Sequence, residues 1–326
     1  MNTPRGRILI AFAIVYLVWG STYLGIRVAI ESISPFLMAG TRTFVAGVLL
    51  YAFARWQQRG VADADEAPRG ALWRTAAMMG FLMFALGNAL LSWAETRIDS
   101  GLAALLVGAI PLYVVILARI NPWGTRRAIT PQKFIGVTVG IIGLGMLVWP
   151  GSAVSAGVRM DPLAIGLLAI GSIGWAVGTV LAPSLPHPKN KLEGSAMTML
   201  VGGAMILVVA AVRGELAVFR PELVTTRSLV AWGYLVVFGS MIAYSAYVYL
   251  VAKCEATTVA TYALVNPIVA VLLGWAFVDE VVTGRMVVAT VVIVAGLGLT
   301  LFGGEAAAWA GRQVGKTPGR QVREAA

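Results

Sequence analysis

The chain has 326 residues, of which 59% are hydrophobic and only 12% charged, and its formal net charge is +10. Soluble globular domains carry about 25% charged residues, so this composition excludes an ordinary soluble domain and indicates a protein embedded in lipid. The single cysteine, Cys254, excludes an intramolecular disulfide and a metal site built from several thiolates.

Ten apolar stretches follow one another along the chain. Each predicts a membrane-spanning helix, because about 18 apolar residues are needed to cross the hydrocarbon core. Their connections are mostly short and carry nearly all of the charge, so little chain remains for a separate soluble domain. In chain order the predicted spans are 8–29, 36–54, 75–94, 100–118, 134–149, 162–182, 195–212, 229–251, 257–278 and 287–303.

The basic residues predict how these spans are oriented. With the N-terminus in the cytoplasm, ten spans return the C-terminus to the same side, and the cytoplasmic segments then hold 17 Lys and Arg residues against 6 in the external segments. The positive-inside rule therefore predicts that both termini are cytoplasmic. We interpret the basic surplus, including a disordered cytoplasmic arm at 304–326, as a contact with anionic lipid head groups and not as a nucleic-acid interface.

The second five stretches repeat features of the first five. An offset of 156 residues aligns Trp19 with Trp175 and Pro111 with Pro267. The offset drifts to 155 and 153 in other spans, as expected when loop lengths differ between two copies of one unit. The ordered set of matches across several pairs of spans indicates a duplication.

Five is an odd number of spans, so the second copy enters the membrane from the opposite side to the first. The predicted fold is therefore all-α and integral to the membrane, with ten transmembrane helices in two inverted five-helix repeats, at 1–150 and 160–303. Such repeats are related by a pseudo-two-fold axis in the membrane plane, and they allow one cavity to open to either side in turn. This arrangement favours a transporter over a channel or a receptor.

Short motifs occur in several of the predicted spans. They are 16–23 (YLVWGSTY), 39–42 (AGTR), 87–88 (GN) with 94–95 (AE), 171–176 (GSIGWA), 265–270 (VNPIVA) and 279–280 (DE). Together they resemble the drug/metabolite transporter superfamily of the EamA type, and especially its YedA-like branch, over roughly residues 8–303. The resemblance implies a ten-helix, export-type permease of the bacterial inner membrane that carries amino acids, other metabolites or toxic compounds.

Arg42 is the most conspicuous candidate for substrate binding, because it lies inside the second predicted span. A charge there costs at least about 2.5 kcal/mol unless it has a partner or a water-filled cavity. One interpretation is an anion anchor, since a guanidinium binds carboxylate or phosphate bidentately. The other is a structural ion pair with Glu31 or Glu95. The repeat aligns Arg42 with Met197, and this break in the symmetry favours a functional role.

The other candidates are aromatic and amide side chains at membrane depth, for which core packing or interhelical hydrogen bonding is the alternative. Prolines inside spans are expected to serve as hinges or in gating, because proline removes a helical hydrogen bond. The candidate substrate-binding residues besides Arg42 are Trp19, Tyr23, Asn88, Trp175, Tyr244, Tyr262 and Asn266, and the candidate hinges are Pro111 and Pro267.

Further residues have structural explanations. Arg27 is expected to extend to the membrane interface, and Asp279 and Glu280 to favour the start of the last helix through its dipole. Nine glycines are expected where helices approach closely: Gly40, Gly47, Gly140, Gly143, Gly145, Gly202, Gly203, Gly296 and Gly298. Gly171 and Ser172 receive the same interpretation.

These observations predict a secondary transporter that exports small metabolites such as amino acids, or amphipathic drugs, by alternating access. The pathway would be lined mainly by the first, third, fourth, sixth, eighth and ninth helices, with Arg42 facing its outer vestibule. No carboxylate lies near the middle of a span, which favours a uniporter or an exchanger over a proton-driven carrier. The alternative is a lipid-linked flippase of the same fold.

Catalysis is not expected, because no clustered His, Cys or paired carboxylates form a recognisable active site in the sequence. No cofactor and no metal are expected either. The predicted partners are a small-molecule solute and membrane lipids, and nothing in the pattern specifies an oligomeric state.

Overall fold

The computed structural model describes residues 4–58, 67–120, 130–149, 159–254, 259 and 261–314, with the backbone alone for 4, 148, 251, 252 and 301–314. All regular structure within these ranges is helical, which confirms the all-α prediction for them. Helical segments lie at the ten predicted positions. They are α1 (Pro4–Ala29), α2 (Pro35–Gln57), α3 (Arg69–Met79, Gly80–Asn88 and Ala89–Ala94), α4 (Ser100–Val107 and Ile110–Ile120), α5 (Pro131–Val148), α6 (Pro162–Leu181), α7 (Lys191–Val212), α8 (Thr226–Tyr234, Leu235–Ile242 and Ala243–Lys253), α9 (Tyr262–Val278) and α10 (Gly284–Val314).

Seven of these segments, α1 to α4 and α6 to α8, are long and apolar enough to cross a membrane. Over the side chains that the structure describes, α5, α9 and α10 are shorter apolar helices. The backbone of α10 continues to Val314, so residues 304–314 are helical where a disordered arm was expected. The rest of that arm, 315–326, lies outside the described residues.

Several helices begin where the sequence places a capping residue. Pro35, Pro131 and Pro162 occupy the first turns of α2, α5 and α6, where a missing backbone N–H costs nothing. The Asp161 carboxylate accepts the backbone N–H groups of Leu163 and Ala164 in α6, and the Asn190 side-chain oxygen accepts that of Leu192 in α7. Such caps satisfy donors that have no partner within the helix.

Buried apolar side chains form two large clusters. One is built mainly from α1, α2, α3, α7 and α8, and the other mainly from α4, α5, α6, α9 and α10. Many large apolar side chains on the outer surface remain exposed, as expected of helices that face lipid. The candidate site lies between the two clusters.

Glycine allows two helix pairs, α2 with α7 and α5 with α10, to pack backbone against backbone. A Cβ atom on Gly47 would lie 2.7 Å from the backbone nitrogen of Leu200, and one on Gly143 would lie 3.0 Å from that of Ile293. The close-contact prediction is confirmed for seven of the nine glycines. It is wrong for Gly145 and Gly298, which have no described neighbour within 4 Å of an added Cβ.

The substitution Gly203→Ala is expected to lower the free energy of unfolding by about 1–3 kcal/mol, the usual cost of overpacking. The new Cβ would lie 2.5 Å from the backbone nitrogen of Phe44 on α2, and a backbone atom cannot rotate away as a side chain does. Thermal unfolding of the purified protein in detergent measures the effect. Gly166→Ala is the matched control, because nothing lies within 4 Å of its added Cβ. Equal unfolding temperatures for the two variants would contradict close packing of α2 on α7.

Three helices depart from regular α-helical geometry near the middle of the bundle. Residues Gly80–Asn88 of α3 and Leu235–Ile242 of α8 are π-helical. In α4 the helix is interrupted at Gly108 and Ala109, just before Pro111. Short π-helical segments inside α-helices occur frequently at functional sites, and all three irregular segments here border the same cavity.

Candidate functional site: a central cavity

A cavity of about 140 Å³ lies between the two apolar clusters. A cavity needs a volume of about 10–15 Å³ to hold one water molecule, so this cavity admits a small solute or a group of waters. Residues of α1, α2, α3, α4, α6, α8 and α9 line it. The sequence-predicted residues among them are Trp19, Tyr23, Arg42, Asn88, Pro111, Trp175, Tyr262, Asn266 and Pro267.

Tyr244 is the one candidate binding residue that does not line the cavity. Its ring packs on that of Trp19, with 6.5 Å between the centroids, and contacts the apolar cluster built from α1, α2, α3, α7 and α8. Residues that line the cavity and were not selected from the sequence include Thr22, Leu91 and Ser172. Ser172 precedes Trp175 by three positions on α6, so helical spacing places both on one face.

Arg42 faces this cavity and is only 8% exposed. Its Nε donates to the hydroxyl of Ser240 on α8 at 3.2 Å, and its Nη1 has no hydrogen-bond partner among the described residues. The alternative of an ion pair with Glu31 is not found, because the Glu31 carboxylate lies 3.7 Å from Arg227 instead. Glu95 attracts Arg42 electrostatically without forming an ion pair within 4.0 Å. The guanidinium therefore borders the central cavity with one nitrogen unpaired among the described residues.

Two further buried polar atoms in the cavity wall lack a partner in the described part of the chain. They are Oδ1 of Asn88 on α3 and Oγ of Ser172 on α6. A buried polar atom without a hydrogen bond costs about 1–3 kcal/mol, so such atoms are rare unless water or a ligand satisfies them. Three of them, from three helices, line one cavity together.

Aromatic rings form much of the remaining wall. The indole N–H of Trp19 donates to the carbonyl of Gly239 at 3.2 Å, inside the π-helical part of α8. The centroids of the Tyr247 and Tyr262 rings each lie 5.1 Å from that of Trp19. Trp175 of α6 also lines the cavity, and its ring packs on that of Phe84 with 6.1 Å between the centroids. The wall thus combines a few polar groups with large apolar surfaces, as solute sites commonly do.

The interruption of α4 and the proline inside α9 meet at the cavity. Gly108 of α4 packs directly on Pro267 of α9, since a Cβ at Gly108 would lie 2.7 Å from the Pro267 ring. With its amide nitrogen facing the carbonyl oxygens of Tyr262 and Tyr16, each at 3.2 Å, Asn266 bonds both within α9 and across to α1. Asn266 therefore has the interhelical role that was its structural alternative, while it also borders the cavity.

A polar network lies at the end of the bundle where α3 stops and α4 starts. The carboxylate of Glu280 accepts the backbone N–H groups of Ser100 at 2.6 Å and Gly101 at 3.0 Å. Glu280 was expected to act at the start of the last helix, but it caps α4 instead.

Two further ionic contacts lie in this network. Arg97 and Asp161 form an ion pair at 2.8 Å, and this hydrogen bond lowers the pKa of Asp161. Burial raises the pKa of Asp99, which accepts the Arg159 backbone N–H.

Arg27 has a partner within the protein. Its Nη1 donates to the backbone carbonyl of Glu95 at 3.3 Å, in the turn that follows α3. The sequence contains no signal for this contact, because the acceptor is a carbonyl freed by the end of α3.

Two segments of this chain match the model of a known protein family. The model of the EamA-like transporter family matches residues 6–149 and again residues 162–302. The chain belongs to the EamA-like transporter family. The resemblance noted in the sequence is thereby confirmed.

Relatives of this EamA-like protein span several kingdoms. It is 35% identical over 261 residues to the uncharacterized inner membrane transporter YedA of Escherichia coli, covering 80% of this chain and 79% of YedA. It is 25% identical to protein PecM of Dickeya dadantii, covering 86% and 87% of the two chains. The WAT1-related chloroplastic protein At3g02690 of Arabidopsis thaliana is 25% identical over 87% of this chain and 67% of its own.

A solved crystal structure has the same fold, with a TM-score of 0.59 at 18% sequence identity over 96% of this chain and 99% of its own. Family membership and the apolar helices together establish this EamA-like protein as a membrane transporter. The matched family is one of transporters, and YedA is described as an inner membrane transporter.

Proposed function

We propose that this protein exports small amphipathic solutes that carry a carboxylate, such as amino acids, across the bacterial inner membrane by alternating access. The observation that carries the proposal is the central cavity, in which Arg42 Nη1, Asn88 Oδ1 and Ser172 Oγ have no partner among the described residues. Arg42 is the one Lys or Arg residue among those that line the cavity.

The chemistry of these groups favours a zwitterion with an apolar body. The free Nη1 of Arg42 is a charge-assisted donor for a carboxylate oxygen, and such bonds are roughly twice as strong as neutral ones. The Asn88 carbonyl oxygen accepts a hydrogen bond from an ammonium group. The rings of Trp19 and Trp175 provide the apolar walls against which a side chain of the solute packs.

Four observations support the two inverted repeats, at 1–150 and 160–303, with ten membrane crossings. The family model matches the chain twice. The two π-helical segments lie at equivalent places, because 80–88 moved by the offset of 156 becomes 236–244 and overlaps Leu235–Ile242. The pairs α2 with α7 and α5 with α10, whose members the repeat relates, pack closely. The contacts of α1 with α9 correspond to those of α6 with α4 under the same exchange.

Alternating access follows from this symmetry, since exchanging the conformations of two similar halves moves the opening of a shared cavity from one face to the other. The proposed hinges are Pro111, next to the interruption of α4, and Pro267, inside α9, where Gly108 of α4 packs on the Pro267 ring. The charge bias of 17 basic residues against 6 supports cytoplasmic termini. In this scheme the outward gradient of the solute itself drives its export.

Counterflow in proteoliposomes tests the proposal. Purified protein is reconstituted, the vesicles are loaded with unlabelled phenylalanine, and entry of labelled phenylalanine is followed with competitors outside. We expect transient accumulation, which carboxylated aromatic compounds inhibit and phenylalaninamide does not. Equal inhibition by the acid and the amide would remove the carboxylate from the proposal. Translocation of a fluorescent lipid without any solute counterflow would favour the flippase instead.

A further inference from the structure

Glu95 is a buried carboxylic acid that the proposed solute site leaves without a role. It lies in the turn that follows α3, its side chain is 0% exposed, and neither carboxyl oxygen has a hydrogen-bond partner among the described residues. An ionised carboxylate in such a place costs far more than a neutral one unless a cation pairs with it. Within the described ranges no Lys or Arg lies within the 4.0 Å of an ion pair.

Charged groups from three neighbouring elements act on Glu95. Arg27 on α1 and Arg42 on α2 favour its ionised form, whereas Glu280, between α9 and α10, opposes it. Tyr23 on α1 also lies within electrostatic range of the carboxyl. Burial is the largest influence, and with Glu280 it raises the pKa of Glu95 well above the usual range of a glutamic acid.

Glu95 is connected to the cavity along one face of α3. Asn88 and Leu91 line the cavity, and Glu95 follows them at the i+7 and i+4 positions, which place all three on one side of a helix. The Glu95 N–H donates to the Leu91 carbonyl at 3.0 Å, so Glu95 lies one turn beyond the cavity wall. Arg42 and Tyr23 both border the cavity and both interact electrostatically with this carboxyl.

We propose that Glu95 is a proton-binding site coupled through Arg42 to the solute site, so that one proton travels with each carboxylated solute. This inference rests on the proposed function. In the empty carrier the Arg42 charge stabilises the Glu95 carboxylate. A solute carboxylate at Arg42 adds a negative charge, and Glu95 then takes a proton from the water on that side, forming an O–H bond at a carboxyl oxygen. When the site opens to the other side, the solute leaves and the O–H bond breaks to return the proton to water.

The sign of the coupling follows from linkage. Because solute and proton favour each other's binding, the affinity for the solute falls as the pH rises through the pKa of Glu95 in the empty carrier. The fall approaches tenfold per pH unit when one whole proton is taken up. Uniport without proton transfer, as favoured by the sequence, predicts no such slope.

Isothermal titration of phenylalanine into the purified protein, in two buffers with different heats of ionisation, measures the protons taken up per solute bound between pH 6 and 8.5. For the wild type we expect uptake that rises toward one proton as Glu95 becomes ionised in the empty carrier. Glu95→Gln is expected to bind phenylalanine with no proton uptake and no pH slope. Glu31→Gln is the matched control, because Glu31 is partly exposed and pairs with Arg227, and it is expected to behave as the wild type.

Infrared difference spectra of the wild type, with and without phenylalanine, keep the proposal testable if Glu95→Gln does not fold. Solute binding is expected to increase the C=O stretching band of a protonated carboxyl. Solute binding without proton uptake or without that band, or proton uptake that persists in Glu95→Gln, would overturn the coupling and leave the proposed function intact. If the wild type does not bind phenylalanine at all, the proposed solute site is itself wrong.

Discussion

Arg42→Ala is expected to lower the affinity for carboxylated solutes about 10- to 100-fold. A hydrogen bond to a charged group contributes about 1.5–3 kcal/mol, and each 1.4 kcal/mol corresponds to a factor of ten. The free Nη1 of Arg42 is the charged donor that borders the cavity, so no other cationic side chain in its lining replaces the lost contact. Affinity for phenylalaninamide, which has no carboxylate, is expected to change little.

Counterflow with phenylalanine and competition by its amide measure this effect, together with thermal unfolding as a test of folding. Arg42→Lys keeps the charge and loses the planar fork, so an intermediate affinity is expected. Arg227→Ala is the matched control, since it removes an exposed guanidinium whose pair with Glu31 spans 3.7 Å. If Arg42→Ala unfolds while Arg42→Lys binds as the wild type does, folding needs a positive charge at this position and the planar fork does not hold the solute carboxylate.

Ser172→Trp is expected to abolish transport while the protein stays folded. Ser172 projects from α6 into the cavity wall, its hydroxyl has no described partner, and about 140 Å³ of space lies in front of it. An indole placed there fills the space that a solute would occupy. The substitution packs apolar atoms into a void, so the fold loses little stability.

A graded series at this position separates size from chemistry. Ser172→Ala removes only the hydroxyl and is expected to weaken binding by a few-fold, whereas Ser172→Leu is expected to slow transport further. Ile173→Trp introduces the same ring one residue further along α6. Ile173 is 43% exposed on the outer surface, so this variant is expected to transport as the wild type does. Wild-type transport by folded Ser172→Trp would show that the solute pathway lies elsewhere.

The helices and several residues of the cavity lining are predictable from the sequence for one reason. A chain in lipid satisfies its backbone hydrogen bonds within each segment, so apolar length alone predicts a helix. Side chains that are polar or aromatic at membrane depth must then face other helices. This explains why Trp19, Asn88 and Trp175, which were expected to bind the solute, border the central cavity.

Tyr244 shows where this reasoning fails. It follows the π-helical segment Leu235–Ile242, in which each turn contains more than the usual 3.6 residues. The directions of later side chains therefore shift relative to a regular α-helix, and Tyr244 turns away from the cavity. Nothing in the local sequence of α8 specifies that shift, because it arises where α8 packs against α1 and α2.

The partners of the charged side chains could not be predicted from the sequence either. Glu280 lies four residues before α10, and its local position suggests a role at that helix, yet its carboxylate caps α4, about 180 residues away in the chain. Likewise, Glu31 and Arg42 lie near each other in the sequence, but Glu31 pairs with Arg227. A long side chain reaches any element within several ångströms, so its partner depends on which helices are neighbours.

By itself, the sequence determined that this is an all-helical membrane protein with repeated segments and polar groups at depth, because the free energy of a segment in lipid depends mainly on its own composition. The tertiary structure alone decided that Arg42, Asn88 and Ser172 meet at one cavity and that Glu95 is buried one helical turn beyond it. Those relations depend on close helix packing and on the π-helical turns, and both result from contacts between segments far apart in the chain.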